Sequence, residues 1–198
     1  MPRYPTESAP RSLVDAAARD LVILGFSVAI CVGLQQWVGT EAGLLGLSIA
    51  GIVSFLLAFA VIYLSHEWGH YIGARLGGAD IPLGSSSSAF LGLFNPALYS
   101  RRQFQFMALG GEVGYMIPSI LLMALFWDTS PLQGLAVAGA AFIIQSLYVD
   151  VPVLWAIHKG ADIQKTLDEG TAPPVLARKT SISWVMLAVG IMTWSYLG

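Results

Sequence analysis

Four stretches of this chain, 21–38, 44–64, 104–127 and 132–157, are apolar over about the length needed to cross a lipid bilayer. The hydrocarbon core takes roughly 20 helical residues. Backbone polar groups find no water there, and a helix satisfies them within its own segment. A fifth run, 182–197, is shorter. The expected fold is therefore an all-α integral membrane protein of about five transmembrane helices, with spans near 21–38, 44–74, 104–127, 132–157 and 182–197. Residues 1–20 read as a cytoplasmic N-terminal segment, and 21–198 as a single transmembrane domain. The polar start carries Arg3, Arg11 and Arg19, and it reads as the flank of an uncleaved first span rather than as a signal peptide.

Composition agrees with lipid as the solvent. Charged residues make up 11% of the chain, against about 25% in soluble domains. The single cysteine, Cys31, excludes an internal disulfide framework and a cysteine-based zinc cluster. A net charge of −2 gives no reason to expect a nucleic-acid partner.

Charge also predicts orientation, because Lys and Arg collect on the cytoplasmic side. With the N-terminus inside and five spans, the inner segments are 1–20, 75–103 and 158–181. All ten Lys and Arg residues fall in them. The short outer loops, 39–43 and 128–131, hold none. The connection 77–103 is long, with Gly77, Gly78, Pro82, Gly84 and Pro96 opposing a regular helix. It reads as an interfacial loop, or as a re-entrant loop or hairpin beside the second and third spans.

The second run ends in His66-Glu67-Trp68-Gly69-His70. On a helix the two histidines lie one turn apart and project from one face, the spacing of two ligands to a tetrahedral zinc ion. Glu67 stands beside them, where a carboxylate can take a proton from zinc-activated water. A third protein ligand is needed. At 1.5 Å per residue, His66 and His70 lie about 8–14 Å inside the inner edge, Glu112 about 15 Å and Asp150 about 12 Å. Asp150 is the expected third ligand, because Pro152 frees the carbonyl of Tyr148 and favours a local kink that could aim the carboxylate. Glu112, within Gly110-Gly111-Glu112-Val113-Gly114, is the alternative ligand, or else a supporting group or proton relay. His158 and Asp162 fall at the membrane edge. A di-iron site is excluded by the count of three histidines.

These residues resemble the site-2 protease family of intramembrane zinc metalloproteases. That family has a His-Glu-x-x-His helix in the membrane, a Gly-x-x-x-(Asn/Ser/Gly) motif in the next helix and an Asp ligand in a later span. His66–His70, Gly110–Gly114 and Asp150 stand in those places, and the likeness covers about residues 44–160. In the family the Asp is usually followed by Gly; here Val151 follows. The resemblance implies one Zn²⁺ per chain, held by His66, His70 and Asp150, with Glu67 catalytic. It implies hydrolysis of peptide bonds in transmembrane protein substrates near the cytoplasmic face. Gly110, Gly114 and Asn95 are candidate contacts for an unwound substrate strand. The expected setting is a prokaryotic cell (inner) membrane. The alternative is a non-proteolytic zinc-binding or transport protein, or a pseudoprotease that binds transmembrane helices.

Overall fold

A computed structural model describes residues 12–41, 43–84, 98–128, 131–170 and 172–197. The chain runs α1 (Leu13–Glu41), α2 (Gly43–Leu76), α3 (Arg101–Phe126) and α4 (Gln133–Gln145). A π-helical turn, Ser146–Asp150, joins α4 to α5 (Val151–His158), followed by α6 (Ile163–Gly170) and α7 (Pro173–Leu197). Among the described residues, four helical stretches are long and apolar enough to cross a membrane: Leu13–Val38, Gly43–Leu76, Arg101–Phe126 and Gln133–His158. They match the first four expected spans. Their outer faces carry exposed large apolar residues such as Phe26, Leu44, Ile52, Ile117 and Leu125, the surface expected where lipid replaces water. Helix α7 covers the fifth run.

Two helices begin earlier than the apolar runs suggest. Helix α1 starts at Leu13, where the Ser12 hydroxyl accepts from the backbone N–H of Asp15 at 3.0 Å. Such an N-cap satisfies a donor that the first turn otherwise leaves orphaned. Helix α7 starts at Pro173, followed by Pro174. Proline fits the first helical turn because the missing N–H has no partner there anyway. Helix α2 holds 34 residues and is thus about 51 Å long. That exceeds a hydrocarbon core of about 30 Å, so α2 must tilt or project from it. It ends at Gly77-Gly78, where Gly78 takes φ +79° and Ala79 N–H donates to the Ala74 carbonyl at 2.9 Å. The expected re-entrant loop or hairpin falls largely on 85–97, outside the described residues, as does Asn95.

Glycine decides how α2 and α3 meet. A Cβ at Gly69 would collide with the Gly110 carbonyl, and one at Gly110 with the Gly69 carbonyl. A Cβ at Gly73 would strike the Phe106 carbonyl, and one at Gly114 the Ser65 carbonyl. The two helices therefore cross antiparallel, backbone on backbone, as small-xxx-small faces allow. Helix α4 closes against both, with Gly134 over Gly51 and Gly139 over Ser119. Ala58, Ile62, Leu135, Ala138 and Phe142 fill the space between.

Helix α1 is joined to this core by a polar contact. Trp68 Nε1–H donates to Asp20 Oδ2 at 2.8 Å, and Arg19 pairs with the other carboxylate oxygen at 2.6 Å. Asp20 is buried, so removing one partner leaves acceptor capacity unmet. Trp68→Phe keeps an aromatic ring and deletes the donor. It is expected to cost about 1–3 kcal/mol, read as a lowered unfolding temperature in detergent micelles.

Candidate functional site

His66 and His70 sit one turn apart on α2, facing α3. Their ring centroids are 4.1 Å apart at 71°. His66 Nδ1 lies 2.9 Å from the Gly111 carbonyl, and His70 Nδ1 lies 2.9 Å from the Met107 carbonyl. A carbonyl oxygen only accepts, so each Nδ1 must carry the proton. In the neutral rings both Nε2 atoms are then bare lone pairs, and they face one another at 2.8 Å. Two lone pairs at that distance repel. The arrangement calls for positive charge at the Nε2 atoms, either a shared proton or a metal ion.

Gly111 makes this geometry possible twice over. Its carbonyl holds His66, and a Cβ on it would fall within the His70 ring. Tyr115, one turn further along α3, stacks on the His66 imidazole at 3.6 Å between centroids and 14° between planes. The Tyr115 ring is braced in turn by Phe142 of α4 at 5.1 Å.

The three acidic candidates share a neighbour in Tyr115, the ring that stacks on His66. Glu67 is buried and hydrogen-bonds to the hydroxyl of Tyr63, one turn before it on α2. Glu112 is buried on α3 and accepts from the hydroxyl of Ser146 at the start of the π-turn. Asp150 is half-buried at the end of the π-turn. The widened turn ends two residues before Pro152, which cannot donate to the helix behind it. Where the sequence favours a kink, the chain makes this π-turn. Asp150 and Glu112 interact electrostatically with each other, and both, together with Glu67, with Tyr115.

Sequence-expected residues therefore divide into those the fold brings together and those it does not. His66 and His70 converge. Glu67, Glu112 and Asp150 come together around Tyr115, and among the described residues no three His, Cys, Asp or Glu side chains form a metal-holding group. Gly110 and Gly114 are packed into the α2 crossing. His158 stays apart, stacked on Trp155 at 5.7 Å with Gln105 at 3.5 Å. Tyr63, Tyr115 and the two carbonyls are not singled out by the sequence, and Ser146 bonds Glu112 rather than its near neighbour Asp150. Tyr63 was visible as the residue one turn before Glu67, and Tyr115 as the residue one turn after Gly111.

The donor set suits zinc. Imidazole nitrogen binds zinc at about 2.0–2.1 Å in tetrahedral sites, which sets a nitrogen–nitrogen separation of about 3.3 Å. Reaching it from 2.8 Å asks each ring to move a few tenths of an ångström. The Nδ1–carbonyl bonds are the supporting contacts that metal-ligating histidines commonly have.

Compared with protein-family models, curated proteins and solved structures, the chain matches none.

Proposed function

We propose that this chain is an intramembrane zinc metalloprotease that hydrolyses peptide bonds in membrane-embedded protein segments. One observation carries the reading: the Nε2 atoms of His66 and His70 face each other at 2.8 Å while both Nδ1 atoms are turned to backbone carbonyls. His66 and His70 would hold the ion, with Asp150 as third ligand and Glu112 as the alternative. When bound, zinc supplies Lewis acidity, which makes water a nucleophile near neutral pH and polarises a carbonyl.

The chain's own groups do the rest. Glu67 takes a proton at its carboxylate and later returns it to the leaving amine. Tyr63 holds that carboxylate in place through its hydroxyl. Tyr115 fixes the plane of the His66 ring by stacking. Glu112, bonded to Ser146, supports the site from α3 unless it is itself the third ligand. A substrate helix hides its peptide groups in its own hydrogen bonds and must unwind locally to be cut.

The distribution of Lys and Arg supports an N-terminus on the cytoplasmic side, with α7 as a fifth span and the site nearer the cytoplasmic face. A non-proteolytic zinc-binding membrane protein is the second reading. Val151 after Asp150, where the resembled family has Gly, favours it.

Zinc content of protein purified in detergent tests the assignment. The unaltered chain is expected to hold roughly one zinc, and His66→Ala and His70→Ala to lose it. Asp150→Ala is expected to lose zinc and Glu112→Ala to keep it. The reverse pattern makes Glu112 the ligand. Full retention in His66→Ala removes the histidine pair from metal binding. Tight zinc without hydrolysis of any helical substrate selects the second reading.

A further inference from the structure

Phe55, Phe59, Tyr63 and Glu67 recur one turn apart on α2, which sets them in a single stripe along the helix. The first three line a half-open cavity of about 280 Å³ bordered by α2, α3, α4 and α7. Its walls are largely rings. Phe55 meets Trp184 at 5.8 Å, Phe59 meets Phe142 at 5.0 Å, and Tyr115 meets Phe142 at 5.1 Å. Two of these walls also belong to the candidate active site. Tyr63 hydrogen-bonds to Glu67, and the opposite side of the site is set by Tyr115 stacked on His66. The cavity thus shares two of its walls with the candidate site.

Size and chemistry narrow the occupant. An apolar cavity of about 150 Å³ takes a benzene molecule and stays dry without it. One nearly twice that size has room for a large side chain and part of its backbone. Ring walls favour an apolar occupant. Gln145 of α4 and Thr180 of α7 stand at the lining and meet each other at only 3.5 Å, the outer limit of a hydrogen bond. Both can turn toward a main chain that has left its helix.

We propose that this cavity is a specificity pocket that takes one bulky apolar side chain, aromatic or branched aliphatic, beside the peptide bond to be cut. The inference rests on the protease reading and deepens it by naming the substrate feature that is read.

The test is made by crosslinking, so that it does not depend on cleavage. The full chain carrying Glu67→Gln is placed in lipid nanodiscs with a Lys-flanked Leu/Ala transmembrane peptide. That peptide bears one benzoylphenylalanine, moved along its length in a series. After irradiation, the adducts are mapped by mass spectrometry. Adducts are expected on Phe142, Thr180 and Trp184 for one narrow set of peptide positions. Ala141→Phe, which fills the pocket, is expected to cut their yield roughly tenfold or more without lowering the unfolding temperature. Thr180→Phe carries the same test from the pocket edge if Ala141→Phe fails to fold. Adducts that persist in the filled variant overturn the proposal. So do adducts confined to the wider groove on the other face of the α2–α3 crossing, beside Leu64, Ile72, Leu109 and Val113, and so does the lack of any adduct. Pocket adducts with a peptide that the unaltered chain never cuts support the pocket as a receptor for the side chain and overturn only the protease reading.

Discussion

Glu67→Gln is expected to lower cleavage of a transmembrane test substrate by about 100- to 10,000-fold, the range that a positioned general acid–base group supplies. The replacement has nearly the same shape. Its amide oxygen can still accept from the Tyr63 hydroxyl, so the buried contact survives. What it loses is the ability to take a proton. Zinc content is expected to stay at the unaltered level, because Glu67 stands beside the histidine pair and is not assigned as a ligand. The measurement is cleavage in proteoliposomes, together with zinc content and helical circular dichroism on the same preparation. Undiminished cleavage removes Glu67 from the mechanism. Loss of zinc along with cleavage makes it a ligand.

Gly111→Ala separates the metal site from the fold. The added methyl would land on the His70 ring, which is a side chain and can swing away. Moving it breaks the bond from His70 Nδ1 to Met107 and spoils the convergence of the two Nε2 atoms. Zinc affinity is expected to fall by about 10- to 100-fold or more, as when groups that orient metal ligands are lost. The accompanying overpacking should cost about 1–3 kcal/mol. Gly25→Ala on α1 is the control, since a Cβ there meets nothing within 4 Å; it should leave zinc unchanged and slightly favour the helix. Isothermal titration with zinc reads both variants, and unaltered affinity in Gly111→Ala would mean that the His70 position does not matter.

Much of the architecture could be read from the length of the apolar runs, because a bilayer imposes a length that few other environments do. Helix ends could not, since they depend on local chemistry such as the Ser12 cap and the Pro173-Pro174 start. The histidine pair was readable because both members lie on one helix. Its partners were not. His66 meets Gly111 across 45 positions of sequence, and nothing local announces which carbonyl a ring will find. Gly110 and Gly114 stand out in the sequence as a close pair of small residues, whereas Gly69 and Gly73 carry no signal of their own beside the histidines. They are the complementary face, and the pairing only appears once two helices are set antiparallel. The Ser146–Glu112 bond likewise spans 34 positions and needs the α3–α4 register.

The tautomer of both histidines is fixed by the main chain of α3, through the oxygens of Met107 and Gly111. At residue 107 the side chain takes no part in that bond, so many substitutions there would leave the imidazole proton where it is. A pattern of amino-acid letters records nothing of such a contact. Two chains could share it with different residues at 107, and a chain with the same residues but a helix rotated by one position would lack it.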